Sequence, residues 1–204
     1  MAVVEMASGL ARYRSWIFDL DGTLIRNPLD FVGMREALGI AAGVDILAHV
    51  GSLNEAQQQD AEAIVTAFEV RAAEQSTVMP GAREVLVKLK EKHSQGYRVG
   101  VLSRNHRQAV LAGLHHSELL SFFAEDCILA REDAAAKPDP AGIHKLLSLW
   151  QAGTSTAVMV GDFHYDLSAG RAAGVATLLV GRESLWPALT DHHYVDWRDV
   201  LGAL

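Results

Sequence analysis

Acidic side chains collect at two places in the sequence where an apolar run ends. Asp19 and Asp21 follow the run Trp-Ile-Phe, and Asp162 follows the run Ala-Val-Met-Val with one glycine between. Asp166 stands four residues further on. Carboxylates held close together repel one another, which raises the pKa of at least one of them unless a cation neutralises the group. A hard divalent ion with oxygen ligands, most simply Mg²⁺, fits this pattern.

Two further apolar runs end in residues of the opposite polarity. Ser103 directly follows the run that ends in Val-Leu, and Lys137 follows a later run after a short loop. A hydroxyl and an ammonium near a metal ion would hold the oxygens of a phosphoryl group, whose transfer depends mainly on positioning and charge stabilisation. Each feature is common alone. Their arrival in order, each at a predicted strand end, indicates phosphoryl chemistry.

The elements that must position these residues follow from the spacing of apolar residues. Short apolar runs alternate with segments of helical periodicity, which predicts βαβ units and a parallel sheet in an α/β fold. Several runs are unbroken, so we expect helices on both faces, and ligands of such sheets bind at the carboxyl ends of the strands. The predicted strands span 15–20, 97–102, 126–129, 157–160 and 176–180, the predicted helices span 81–93, 106–114, 140–151 and 165–173, and a short strand and a helical turn are expected from about 195 to 204.

One long segment breaks this alternation. Between Asn27 and Met79 the expected second strand is missing, and apolar residues recur at helical spacing throughout. Pro28 opens the segment and Pro80-Gly81 closes it. We interpret it as a helical insertion with its own small core, which predicts a catalytic core of residues 1–27 and 79–204 and a small cap of residues 28–78. A long irregular excursion of the core is the alternative.

Composition excludes several classes of function. The 204 residues carry 18 Lys and Arg against 25 Asp and Glu, a formal charge of −7, which argues against a broad nucleic-acid-binding face. No apolar run is long enough to span a bilayer, so we expect no membrane partner. The single cysteine, Cys127, cannot form an internal disulfide and is expected in the core. Without a recognisable targeting signal, a cytoplasmic location is the default expectation.

Together the motifs resemble those of the haloacid-dehalogenase superfamily. The resemblance covers nearly the whole chain outside the insertion and implies a Rossmann-like three-layer core. The position of the insertion, directly after the first motif, is similar to that of the cap in the phosphoglycolate-phosphatase-like branch. The matching residues are Asp19-Leu20-Asp21-Gly22-Thr23-Leu24, then Ser103, Lys137-Pro138, Gly161-Asp162 with Asp166, and the stretch from Asp166 to Gly174.

This resemblance implies covalent phosphoryl transfer. Asp19 attacks phosphorus, and Asp21 protonates the leaving-group oxygen and then activates the water that hydrolyses the aspartyl-phosphate. True dehalogenases lack the second acid because a halide needs no proton, so the presence of Asp21 favours phosphatase chemistry. Mg²⁺ is expected to bind the Asp19 side chain, the Asp21 main-chain carbonyl and Asp162, with Asp166 as a further ligand or a support.

The remaining implied roles concern the phosphoryl group and the turn after the nucleophile. Ser103 would hydrogen-bond the phosphoryl group, and Lys137 would pair with it and with Asp19. Gly22 would let the chain turn sharply after the nucleophile, and Thr23 would fix that turn.

Substrate selection is less well determined. Arg104 and Asn105 follow the motif serine, whereas many family members have the asparagine directly after the hydroxyl residue. Arg104 could therefore select a second anionic group of the substrate, or it could be a surface arginine paired with an acidic neighbour. We do not expect His164 to bind metal, because imidazole favours transition metals. Three residues near the insertion could face the site, although a solvated helix face is favoured for them: Arg26, Asp30 and Arg35.

The sequence thus predicts a Mg²⁺-dependent phosphatase for a small phosphorylated metabolite, with 2-phosphoglycolate as one candidate. A phosphosugar mutase of the β-phosphoglucomutase kind is the first alternative, since it shares the motifs and returns the phosphoryl group to a sugar. A non-catalytic binding or regulatory protein is the second. The presence of Asp19, Asp21, Lys137 and Asp162 together argues against it. Whether the protein is a monomer or a dimer is left open.

Overall fold

A parallel sheet between two helical layers forms the centre of the computed structural model, which describes residues 9–181 and 183–204. The strands are β1 (Ser15–Phe18), β2 (Ile25–Arg26), β3 (Thr77–Val78), β4 (Arg98–Leu102), β5 (Ile128–Leu129), β6 (Ala157–Gly161), β7 (Ala176–Val180) and β8 (His192–Tyr194). The helices are α1 (Phe31–Leu38), α2 (Ile46–Gly51), α3 (Glu55–Ala73), α4 (Ala82–Glu91), α5 (Arg107–His116), α6 (Ala141–Trp150), α7 (His164–Ala173) and α8 (Trp197–Gly202).

Six strands form the main sheet in the order β5-β4-β1-β6-β7-β8, and every neighbouring pair is parallel. Strand β1 lies between β4 and β6, and all four of its residues are buried. Trp16 and Phe18 pack into the apolar cluster on one face, and Ile17 packs into the cluster on the other. The unbroken apolar strands therefore have helices on both faces, which confirms the predicted α/β fold with a Rossmann-like core.

Helices α1, α2 and α3 occupy the segment predicted as an insertion, and each begins at a capping residue. The side chains of Asp30, Asp45 and Asn54 accept a hydrogen bond from a main-chain N–H in the first turn of their helix. The three helices share an apolar cluster separate from the two that flank the sheet, and it contains Met34, Ile46, Val50, Ala61 and Val65. We keep the name insertion for residues 28–78, and those limits stay a prediction.

Two details differ from the sequence-based expectations. Strands β2 and β3 pair antiparallel, Ile25 opposite Val78, and so join the two ends of the insertion; two-residue strands are too short to show periodicity in the sequence. Strand β8 also begins at His192, before the expected strand near residue 195. Cys127 is buried, as expected, in a short 3₁₀ turn directly before β5.

Among the described residues, no helix combines the length and the apolar character needed to cross a membrane.

Candidate active site

A cleft of about 780 Å³ lies between the carboxyl ends of β1, β4 and β6 and helices α1 to α3, and we call it the active-site cleft. Thr23 does not line it but is fully buried and hydrogen-bonded to two of the lining carboxylates. The other predicted site residues all do: Asp19, Asp21, Gly22, Ser103, Arg104, Asn105, Lys137, Asp162 and Asp166.

Asp19 directly follows β1 and is held from two sides. Its Oδ1 accepts a hydrogen bond from Lys137 Nζ at 2.6 Å, and its Oδ2 accepts one from Thr23 Oγ1 at 3.2 Å. Its main-chain N–H donates to the carbonyl of Val160 on the neighbouring strand at 2.9 Å. The residue is only 8 % exposed, and it lines the cleft. Sheet pairing and two side-chain partners thus fix the direction of this carboxylate.

Asp162 and Asp166 complete an acidic cluster with Asp19. One carboxylate oxygen of each of the three lies within 4.8 Å of the others. Burial and the charge of Asp19 raise the pKa of Asp162 to about 7, and burial with the same charge raises the pKa of Asp166 to about 6. Burial disfavours the charged form of Lys137, but Asp166 at 2.7 Å and Asp19 outweigh it and raise the pKa of its ammonium. One ammonium therefore faces three carboxylates, and negative charge is left over.

This donor set suits a hard divalent cation, because it offers only carboxylate oxygens and excess negative charge. Asp19 and Asp162 are the members best placed to bind such an ion. Asp166 is more deeply buried than Asp19, 2 % against 8 % exposed, and its two oxygens accept hydrogen bonds from Lys137 Nζ and from the main-chain N–H of Phe163 at 3.1 Å. Asp166 is thus held as a support that orients Lys137, and it can add a ligand through a remaining lone pair. Among the described residues, His164 does not belong to the acidic cluster of Asp19, Asp162 and Asp166.

Asp21 lies on the cleft wall next to this cluster. Its two oxygens accept hydrogen bonds from the side-chain amides of Asn27 and Asn105, the latter at 2.8 Å. The carboxyl group opens onto the cleft but is otherwise enclosed by protein. Burial and the charge of Asp19 raise its pKa to about 8. A pKa raised in this direction favours the protonated form of Asp21, which suits a proton donor.

The turn that follows Asp19 and Asp21 and leads into β2 depends on Gly22. Its φ of +87° is in the left-handed region, and a Cβ at this position would lie 2.3 Å from Oδ2 of Asp162. The next residue, Thr23, donates from its hydroxyl to Asp19 and, at 3.3 Å, to Asp162. Its carbonyl accepts from the indole N–H of Trp197 at 2.9 Å. The turn thus holds the carboxylates of Asp19 and Asp162 close together.

Ser103 and Lys137 reach the cleft from two other loops. Ser103 directly follows β4, its main-chain N–H donates to Leu129 at 2.9 Å, and its hydroxyl oxygen accepts from the main-chain N–H of Asn105 at 3.1 Å. Lys137 lies in the loop between β5 and α6 and is only 2 % exposed. The strand-end groups predicted from the sequence therefore line the same cleft.

Comparison with known proteins agrees with this geometry. Residues 35–180 match the family model described as haloacid dehalogenase-like hydrolase. The chain belongs to this hydrolase family. The matched range begins after Asp19 and Asp21, so their positions in the site follow from the coordinates alone.

Among relatives of this hydrolase is a haloacid dehalogenase-like hydrolase domain-containing protein of Arabidopsis thaliana, 31 % identical over 83 % of this chain and 71 % of its own length. Pyrophosphatase PpaX of Bacillus cereus is 30 % identical over 83 % of each chain. A solved structure described as a predicted phosphoglycolate phosphatase from Haemophilus somnus superposes with a TM-score of 0.72, 20 % identity and coverage of 95 % of this chain and 99 % of that one. At that identity the structural likeness concerns the fold alone.

Arg104 connects the core of the hydrolase to the insertion. Its Nη2 donates to both oxygens of Asp45, at 2.8 and 3.1 Å, and its guanidinium lies 4.1 Å above the ring of Tyr165. The Tyr165 hydroxyl donates to Asp45 at 2.9 Å, and the main-chain N–H of Ala48 adds a further donor at 2.9 Å. Partial burial acts against ionisation, but these donors hold the pKa of Asp45 below its ordinary value. The sequence left two expectations for Arg104, selection of a substrate anion or pairing with an acidic neighbour. The structure shows an acidic neighbour, and that neighbour lies inside the cleft.

A second connection joins α3 to the core. Glu69 is 4 % exposed and accepts from Arg131 Nη1 at 2.6 Å and from the main-chain N–H of His106 at 2.9 Å. Arg131 also donates to Thr66 at 3.1 Å. Burial raises the pKa of Glu69 despite these partners. Since Glu69 lines the cleft as well, this network fixes the end of α3 against the sheet edge.

The insertion residues considered from the sequence are placed differently from one another. Arg26 is exposed on β2, and Asp30 caps α1. Only Arg35 lines the cleft, at its mouth, where it donates to the main-chain carbonyls of Phe31 and Val44. Among the polar cleft residues that sequence reasoning did not place in the site are Asn27, Asp45, Glu69 and Tyr165. Of these, only Tyr165 carried a signal, its place between the two motif aspartates Asp162 and Asp166.

Proposed function

We propose that this protein is a Mg²⁺-dependent phosphatase that hydrolyses a small phosphomonoester through a phosphoryl group carried by Asp19. The observation that carries the proposal is the arrangement of Asp19, whose carboxylate is fixed by Lys137 and Thr23 within reach of Asp162. A nucleophile for phosphorus needs this fixed direction together with neutralised charge around it. A relative described as a pyrophosphatase supports phosphoryl chemistry.

In the first step an oxygen of Asp19 forms a bond to phosphorus while the bond from phosphorus to the leaving-group oxygen breaks. Asp21 gives its proton to that oxygen, so the leaving group departs as an alcohol. Asn27 and Asn105 hold the Asp21 carboxyl in place for this transfer. Ser103 and Lys137 bind the phosphoryl oxygens, and Lys137 keeps its contact with Asp19.

In the second step a water molecule forms a bond to phosphorus, and the bond between phosphorus and the Asp19 oxygen breaks. Asp21, ionised by the first step, takes a proton from this water, so inorganic phosphate leaves and Asp19 and Asp21 return to their starting forms. Mg²⁺, when bound by Asp19, Asp162 and the main-chain carbonyl of Asp21, would neutralise charge on the phosphoryl oxygens. Asp166 orients Lys137 throughout both steps.

A test combines a substrate panel with one substitution. Purified protein with Mg²⁺ should release inorganic phosphate from at least one member of a broad phosphomonoester panel that includes 2-phosphoglycolate, with inorganic pyrophosphate, a phosphoanhydride, assayed beside it. Asp19→Asn should abolish release and leave the circular-dichroism spectrum unchanged. Absence of phosphate release from the whole panel, or appreciable turnover by Asp19→Asn, would contradict the proposal. Transfer of the phosphoryl group to a sugar phosphate rather than to water would favour the mutase alternative.

A further inference from the structure

The charged side chains of the active-site cleft indicate which leaving groups the cleft can accept. Among the described lining residues, three side chains are cationic: Arg35, Arg104 and Lys137. Lys137 is held between Asp19 and Asp166, and Arg104 is held by Asp45. Arg35 stands at the mouth and is engaged by main-chain carbonyls. The cation nearest to the strand-end groups after Lys137 is therefore Arg104, and a carboxylate of the protein already neutralises it.

Asp45 is held firmly in this position. It accepts hydrogen bonds from Arg104, Tyr165 and the main-chain N–H of Ala48, all between 2.8 and 3.1 Å. Both oxygens of Asp45 bind the same nitrogen of Arg104, Nη2, and Arg104 Nε is buried without a hydrogen-bond partner among the described residues. A second anionic group of a substrate that reaches Arg104 would therefore lie beside the charge of Asp45 or displace it. Like charges placed side by side in a partly desolvated site repel each other, which is how binding sites exclude wrong partners. The Arg104–Asp45 pair thus presents a neutral, polar surface to the substrate.

The wall contributed by the insertion is mainly apolar. It includes Leu29, Phe31, Met34, Val44, Ile46 and Leu47, and Phe31 is 52 % exposed there. Such a wall gains from contact with an apolar leaving group through removal of both surfaces from water. A volume of about 780 Å³ is also within the range of pockets that enclose drug-sized ligands, so a ring fits beside the phosphoryl group.

We infer that the substrate is a phosphomonoester with an uncharged, largely apolar leaving group, and that Asp45 is the specificity-determining residue that excludes a second anion by occupying Arg104. This inference rests on the proposed phosphatase function. It separates this protein from enzymes whose substrates carry two anionic groups, such as pyrophosphate or phosphoglycolate.

The experiment compares four substrates in two matched pairs: benzyl phosphate with para-carboxybenzyl phosphate, and glycol monophosphate with phosphoglycolate. The native enzyme with Mg²⁺ should show a kcat/KM for each uncharged leaving group at least about tenfold above that of its carboxylate counterpart. Benzyl phosphate should be the best of the four. In Asp45→Asn the preference within each pair should fall by about tenfold or reverse, because Arg104 gains an unshared charge while asparagine still caps α2.

Two further variants isolate the cause. Asp196 caps α8 away from the cleft, so Asp196→Asn removes the same charge from a comparable helix start and should leave the preference unchanged. The double variant Asp45→Asn with Arg104→Met should not show the gain in kcat/KM with the carboxylate substrates, because it lacks the guanidinium that Asp45→Asn alone leaves without its carboxylate partner.

The outcomes separate the two levels of proposal. Equal or faster hydrolysis of the carboxylate substrates by the native enzyme, or an unchanged preference in a folded Asp45→Asn variant, would overturn the inference and leave phosphatase activity standing. Failure to hydrolyse any of the four, together with the broader panel, would overturn the phosphatase proposal and with it this inference.

Discussion

The core face of the active-site cleft consists of buried charged groups that hydrogen-bond one another, whereas the face contributed by the insertion consists mainly of apolar side chains. On the core face, Asp19 and Lys137 are 8 % and 2 % exposed. On the insertion face, Phe31 and Val44 are 52 % and 40 % exposed. Groups that react must be fixed, while a surface that selects a leaving group needs shape and polarity more than fixed hydrogen bonds. The difference predicts that substitutions on the core face affect stability and turnover far more than substitutions on the insertion face.

The largest difference in stability and turnover is expected between substitutions of two cationic residues of the cleft, Lys137 on the core face and Arg35 on the insertion face. Lys137→Met leaves Asp19 and Asp166 buried without their cation, which should lower the free energy of unfolding by about 3–5 kcal/mol and abolish turnover. Arg35→Met removes a half-exposed side chain and should change stability by less than about 0.5 kcal/mol. Urea unfolding of both variants measures this contrast. A Lys137→Met protein as stable as Arg35→Met would contradict it.

Two glycines with positive φ give the next contrast. Gly22→Ala places a Cβ 2.3 Å from Oδ2 of Asp162, so the acidic cluster must shift, and kcat/KM should fall by about a hundredfold. Gly39 has a φ of +67° with no atom within 4 Å of an added Cβ. Gly39→Ala therefore has the backbone strain alone, about 1 kcal/mol, and should keep nearly full activity. Equal losses of activity in the two variants would show that strain rather than crowding at Asp162 is responsible.

Metal binding should stabilise the core face specifically. At a hundredfold excess over its Kd, Mg²⁺ should raise the free energy of unfolding by about 2.7 kcal/mol, or Tm by about 5–10 °C, and EDTA should reverse the shift. Asp162→Asn should abolish this shift, and Asp30→Asn, at the exposed start of α1, should preserve it. A metal-induced shift that survives in Asp162→Asn would place the ion elsewhere.

The smallest effect is expected from Phe31→Ala on the insertion face. Loss of this half-exposed ring should raise KM for benzyl phosphate a few-fold and leave KM for glycol monophosphate unchanged, because only the aromatic leaving group reaches the apolar wall. Tm should stay within about 2 °C of the native value. Equal changes in KM for both substrates would argue against an apolar binding surface.

The same contrast between the two faces explains what could be predicted from sequence. Asp19, Ser103 and Asp162 each directly follow a strand of a parallel sheet, and the carboxyl ends of such strands meet at one edge. Their convergence therefore needed only the strands, which the apolar runs reveal. The helical character of the insertion also followed from periodicity.

Residues whose position depends on how the insertion packs could not be found in this way. Asp45 reads as a helix cap, and nothing in the sequence links it to Arg104, 59 positions later. Glu69 lies on a helix whose partner Arg131 is 62 positions away. The β2–β3 pair was missed because two-residue strands have no measurable period. Pairing between polar groups that are distant in the sequence leaves no local pattern. The strand-end residues proposed to do the chemistry were therefore predictable, whereas the residue proposed to determine selectivity was not.

The identity of the phosphorylated residue tests the central claim most directly. The enzyme is mixed with Mg²⁺ and its best panel substrate, quenched in acid during turnover, digested and analysed by mass spectrometry. We expect one phosphoryl group on the peptide that contains Asp19 and none in Asp19→Asn. A phosphoryl group on Ser103 or on His164, or turnover without any phosphorylated enzyme, would contradict the assignment of Asp19 as the nucleophile.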